Sequence, residues 1–188
     1  MDFSRKRNVK IHSCIHMVNR IYILGFMGVG KSTTAKGLAR KLGYDFVDTD
    51  KLLEKKFKIN INNFFSKYGE ELFRELEHEI LLETFIYNKC VIATGGGLPC
   101  YFDAMDKINA NGVSIFLKMD EKSIVNRLMA SKQKRPLLSD LSDEELLNFV
   151  ERKLNSRINY YSKAWLTIPA LDMNIDHLVA KISEHNTY

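Results

Sequence analysis

The chain has 188 residues, 45% hydrophobic and 27% charged, and a net charge of +5, which fits one ordinary globular domain with a sizeable core. No apolar run approaches the roughly 18 residues of a membrane helix, and no long basic stripe interleaved with aromatics marks a nucleic-acid binder. The three cysteines, Cys14, Cys90 and Cys100, have no CxxC or other metal-ligand spacing and suit a reducing, cytoplasmic setting.

Residues 1–16 carry Arg5, Lys6, Arg7 and Lys10 against Asp2 and show no periodicity. His12, His16, Asn19 and Arg20 interrupt any apolar signal core. Such a segment buries too little apolar surface to offset its ordering entropy. It is expected to be a disordered N-terminal extension ahead of one domain at 17–188, with Met17 as the alternative start.

"RIYILGF" (Arg20–Phe26) predicts a buried strand. Ala35, Leu38, Ala39 and Leu42 recur at helical spacing, and Gly43 closes that helix as a C-cap. "YDFVDTD", "KCVIATGGG", "GVSIFLKM" and "AWLTIP" supply four more strands. Helical patterns lie between them: Leu72, Leu76 and Ile80; Ile124 and Leu128; Leu147, Val150, Leu154 and Ile158. A terminal helix follows with Ile175, Leu178, Val179 and Ile182. Alternating strands and helices imply a parallel sheet wrapped on both faces. Helical rhythm breaks over Ala130–Asp143, which is expected to be mobile.

Gly25, Gly30, Lys31 and Ser32 satisfy G-x-x-x-x-G-K-[ST], with a strand before and a helix after. Such a turn points backbone N–H groups and a helix N-terminus at phosphates. Gly28, Val29, Gly30, Lys31, Ser32 and Thr33 are therefore the expected ATP-binding residues. Lys31 is expected to reach the β- and γ-phosphates, and Ser32 to bind Mg²⁺. Small phosphorylated ligands also account for the positive charge.

Asp48 and Asp50 follow the second strand, two residues apart, and extended backbone would point both the same way. One can support Mg²⁺ and the other can take the proton of a hydroxyl. Alternatively, one merely caps the helix beginning near Lys51. Gly95, Gly96 and Gly97 end the third strand and would let a ligand lie against exposed backbone N–H groups, or form a plain turn. Arg74 has Glu70, Glu77 and His78 at helical spacing, which suits a solvated salt-bridge ladder. Arg157 flanks an apolar stripe and would snorkel. Arg135 stands on a loop where arginines commonly meet phosphoryl charge.

Together, "GFMGVGKST", "DTD", "FRELE", "GGG", "RPLL" and Arg157-x-x-Tyr160 resemble shikimate kinase in order and approximate spacing, from about Val18 onward. The resemblance implies a three-layer α/β/α P-loop kinase fold with a five-stranded parallel sheet, similar to the nucleoside monophosphate kinases. It implies transfer of the ATP γ-phosphate to the 3-hydroxyl of shikimate, with Mg²⁺. It assigns Asp48 and Ser32 to the metal and Asp50 to the substrate hydroxyls as base. Arg74 and Arg157 take the substrate carboxylate, and Gly95, Gly96 and Gly97 the substrate pocket. Arg135 and Lys31 act on the phosphates, with Arg135 on a lid at about 130–143, and Phe65 and Phe73 line the same pocket. A monomer without nucleic-acid or membrane partners is expected. "MASKQK" lacks the arginine that many members place against adenine; Lys132 is a substitute. A kinase for another small hydroxy acid, such as gluconate, and a catalytically silent nucleotide-binding module are the alternatives.

Overall fold

The computed structural model of the chain describes residues 18–131 and 141–185. The expected N-terminal extension, Arg135, Lys132 and most of the expected lid lie outside the described residues. Five strands form one parallel sheet in the order β2-β3-β1-β4-β5. They are β1 (Arg20–Leu24), β2 (Asp45–Asp48), β3 (Cys90–Ala93), β4 (Val113–Lys118) and β5 (Leu166–Pro169). All five strands correspond to the predicted ones.

Alternation along β1 divides the core between the two faces of the sheet. Ile21 and Ile23 face one side with Ala35, Leu38, Ile115, Leu117, Leu178 and Ile182. Tyr22 and Leu24 face the other with Leu81, Ile92, Met105 and Ile108. Helices cover both faces, so the three-layer architecture holds. They are α1 (Lys31–Leu42), α2 (Thr49–Phe57), α3 (Ile61–Glu83), α4 (Ala104–Asn111), α5 (Glu121–Ala130), α6 (Asp143–Tyr161) and α7 (Ile175–His185). Gly43 ends α1 in the left-handed conformation with its N–H on Ala39 O, as its position predicts.

Three local differences from the sequence reading stand out. First, α2 begins at Thr49, directly after β2, rather than near Lys51. Second, α3 is interrupted at Gly69 (φ 83°, ψ 176°) and buries Phe73, Arg74, Glu77, Ile80 and Leu81. Leu72, which the apolar spacing placed inside, is exposed: i+4 steps alone do not fix which edge of a stripe faces inward. Third, α4 had no predicted counterpart; it is one short helix on Ala104, Met105 and Ile108.

A smaller core of Leu53, Phe64, Phe73 and Ile80 lies between α2 and α3. It fixes these two helices as a unit beside the sheet. The chain visits β2 before inserting β3 between β2 and β1. The C-terminal ends of β1, β2 and β3 therefore stand side by side, with Ile23 opposite Ala93 and Asp48 opposite the same residue. Ligands of open α/β sheets bind at that edge.

Candidate active site

The turn from β1 into α1 is built as the glycine motif requires. Gly30 precedes α1 at φ 98°, a left-handed value that a side chain would strain. Lys31 Nζ donates to Phe26 O at 3.0 Å, which holds the ammonium across the turn. Ser32 lies in the first turn of α1, and its Oγ donates to Asp48 Oδ2 at 2.6 Å. Thr33 is exposed at the same helix end, whereas Val29 is buried.

Asp48 has two roles at once. Its Oδ1 accepts from the backbone N–H of Asp50 at 3.1 Å and of Lys51 at 3.3 Å, so it caps α2. Its Oδ2 is committed to Ser32. The capping alternative is correct for Asp48, and the cap uses Oδ1 alone. Asp50 is already in the first turn of α2. It approaches Asp48 through the helix, not through the extended alternation expected from the sequence. Burial pushes the Asp50 carboxyl up to about 6, with Lys31 opposing and Asp48 and Glu54 reinforcing the shift.

Three backbone groups of the glycine triplet, one N–H and two carbonyls, are bonded within the protein. Gly95 N donates to Thr49 Oγ1 at 2.9 Å, Tyr161 Oη donates to Gly96 O at 2.5 Å, and Gly97 O accepts from Cys100 N at 2.9 Å. The missing side chains also make room for other residues of the site. A Cβ on Gly95 would collide with Glu77 Oε1 and stand 2.6 Å from Asp50 Oδ1. A Cβ on Gly97 would stand 2.5 Å from Arg74 Nη1. Only glycine permits both approaches.

Arg74 is not on a solvated ladder. It is 9% exposed and Glu77 is 3% exposed. Nη1 donates to Glu77 Oε2 at 2.5 Å, while Nε and Nη2 donate to Glu70 Oε1 at 3.2 and 2.9 Å. Tyr101, Phe73 and Phe65 pack on the guanidinium, with ring centroids 4.7, 5.1 and 5.8 Å from its carbon. Burial alone would depress the Arg74 pKa; Glu77 and Glu70 more than offset it and hold the cation. Glu77 is pushed up to about 7, first by burial and then by Asp50, against the pull of Arg74. One cation thus faces two crowded carboxylates.

Arg157 reaches the same place from α6. Its guanidinium carbon lies 5.5 Å from the Phe26 ring centroid, its Nη1 is 3.7 Å from a Cβ position on Gly96, and its charge, like that of Arg74, opposes the rise of the Glu77 pKa. The structure therefore brings Lys31, Ser32, Asp48, Asp50, Arg74, Gly95, Gly96, Gly97 and Arg157 to one edge of the sheet.

Sequence reading missed Thr49, Tyr161 and Arg127, and it placed the Arg74–Glu77 pair in solvent. Thr49 and Tyr161 pin the glycine triplet, and Glu77 pairs with Arg74 inside the protein. In Arg157-x-x-Tyr160 the expected tyrosine is 41% exposed, whereas Tyr161 is buried and stacks on Phe116. Arg127, just before "MASKQK", donates from Nη1 to Val29 O at 3.1 Å and so lies on the phosphate turn. The double tyrosine and the arginine spacing were the available signals.

A strand, a glycine turn with its lysine and serine, and acidic residues at the neighbouring strand end define a P-loop kinase. The family model of shikimate kinase matches residues 27–185, and the chain belongs to that family. A shikimate kinase of Bacteroides fragilis is 43% identical over 145 residues, covering 77% of this chain and 81% of the relative. The crystal structure of the Bacteroides thetaiotaomicron shikimate kinase superposes with a TM-score of 0.83 at 36% identity, covering 89% of this chain and 97% of that one. The Acinetobacter baumannii shikimate kinase in complex with shikimate gives 0.77 at 30%, covering 91% and 94%.

Proposed function

We propose that this chain transfers the γ-phosphate of ATP to the 3-hydroxyl of shikimate, giving ADP and shikimate 3-phosphate. The observation that carries the reading is the setting of Asp50: its buried carboxyl feels the charges of both Lys31 of the phosphate turn and the buried Arg74. A substrate with a carboxylate at Arg74 and a hydroxyl at Asp50 would present that hydroxyl to the phosphate turn.

In this reading Arg74 and Arg157 hold the carboxylate, since a planar guanidinium matches it bidentately. Asp50 accepts the hydroxyl proton and orients the oxygen in line with the γ-phosphorus. Lys31 stabilises charge on the transferring group. Ser32 Oγ and Asp48 Oδ2 are hard oxygens placed together at the N-terminal end of α1, a donor set that suits Mg²⁺. These two residues would hold the ion, which supplies neutralisation of the phosphate oxygens when bound. The resemblance adds Arg135 for the phosphates.

A coupled assay of ADP release with shikimate, with gluconate and with neither tests the reading. Release that depends on shikimate supports it. Release only with gluconate makes the chain a kinase for another acid, and the absence of release in all three arms makes it a catalytically silent nucleotide-binding module.

A further inference from the structure

Five donors on one guanidinium are a limited resource, and Arg74 has committed most of its perimeter. Nη1 goes to Glu77, Gly97 backs Nη1 and Nη2, and Phe65, Phe73 and Tyr101 pack around the group. The Nε–Nη2 edge presents two parallel N–H groups, the arrangement that a carboxylate meets side-on. Both of those nitrogens donate to Glu70 Oε1.

We propose that Glu70 is a specificity-determining residue: it occupies the edge of Arg74 that the substrate carboxylate takes, and the substrate binds by displacing it. This rests on the assignment of Arg74 to the substrate carboxylate.

The two glutamates on Arg74 differ in what it costs to remove them. The Glu77 side chain is 5% exposed, so losing its partner would strand a buried charge. The Glu70 side chain is 54% exposed and returns to water at little cost. Glu70 also makes both bonds through one oxygen. A carboxylate that offers two oxygens to the same edge makes two better-directed bonds. The exchange is therefore favourable for an acid and has nothing to offer an uncharged group.

The surroundings also suit release. Glu70 follows Gly69, whose φ of 83° and ψ of 176° break the helix at that point. The charge of Lys153 on α6 lies near enough to lower the Glu70 pKa, after the larger effect of Arg74. Tyr101 Oη donates to the same Glu70 oxygen at 3.3 Å. A displaced Glu70 thus has water, a cation and a hydroxyl within its neighbourhood.

The test is steady-state kinetics of Glu70→Gln with shikimate and with its primary carboxamide, and KM for ATP as the control. The glutamine keeps the shape and removes the competing charge. KM for shikimate should fall about twofold to fivefold, the range of a partly exposed ion pair. KM for the carboxamide should stay where it is. A raised or unchanged KM for shikimate, or an equal gain for both compounds, overturns the proposal, because Glu70 would then only orient Arg74. Arg74→Ala separates the underlying assignment. It should weaken shikimate binding by about thirtyfold or more. If shikimate binding survives that change, the carboxylate assignment falls and the Glu70 proposal falls with it. If it does not survive and Glu70→Gln shows no gain, displacement alone is wrong.

Discussion

A hydroxyl can pass its proton only to a group that is close and deprotonated. Asp50 meets the second condition above about pH 6, the value to which burial raises it. That puts its basicity nearer to working pH than an ordinary aspartate, which is the direction a general base needs. Asp48 has both its oxygens bonded, one to the start of α2 and one to Ser32. Asp50→Asn should therefore lower kcat by at least about a hundredfold in a protein that stays folded, as checked by single-turnover kinetics and circular dichroism. Near-normal turnover in the folded variant would remove the base role. The motif "DTD" was enough to single out both aspartates. It could not divide their duties, because that depends on the helix starting at Thr49, one turn of backbone that no spacing rule specified.

The loop after β3 works by what its residues lack. Gly97 leaves the Arg74 guanidinium a place that any Cβ would contest at 2.5–2.8 Å. Gly97→Ala should push Arg74 aside and raise KM for shikimate on the order of tenfold or more, because small misplacements of a binding group are costly; KM for ATP should hardly move. Gly43→Ala is the matched control. Its φ is 69° and no atom lies within 4 Å of the added carbon. It should cost about 1–2 kcal/mol of stability through left-handed strain and leave both KM values alone. Equal kinetic effects from the two substitutions would make the triplet a plain turn. Three adjacent glycines made this loop conspicuous in the sequence, but their purpose was not readable there. The side chains that need the space, Arg74, Glu77 and Asp50, come from α2 and α3, and only the packing brings them back over the third strand. The strands were legible because their apolar runs are continuous. The face of α3 was not: its buried side carries Arg74 and Glu77, and a hydrophobic pattern has no way to register charged residues that pair inside.

The molecule divides its site between two supports. The sheet edge and α1 carry the phosphate turn, while α2 and α3, joined by their own small core, carry Asp50, Arg74 and Glu77. Bringing them together crowds carboxylates around few cations, and that crowding has a pH signature. Asp50 is raised to about 6 and Glu77 to about 7, both chiefly by burial. In the unfolded chain both titrate near their ordinary values. Between the ordinary and the raised values the native state holds more protons than the unfolded state, so stability falls as pH rises. The contribution is fully present below the ordinary carboxylate range and is lost as pH passes through about 6 to 7. His78, whose pKa is lowered mainly by burial, acts in the opposite sense. A comparison with a variant therefore isolates the carboxylates. Thermal midpoints of the wild type and Asp50→Asn should be measured from pH 5 to pH 8. The substituted amide cannot ionise, so the variant should lose less stability than the wild type over that interval and should be relatively most stable at its alkaline end. The substitution expected to lower turnover would thereby relieve part of the cost of building the site, as expected where function holds a charge in an unfavourable place. Parallel pH curves for the two proteins would show that Asp50 titrates alike in the folded and unfolded chains, and its raised basicity would have to be given up.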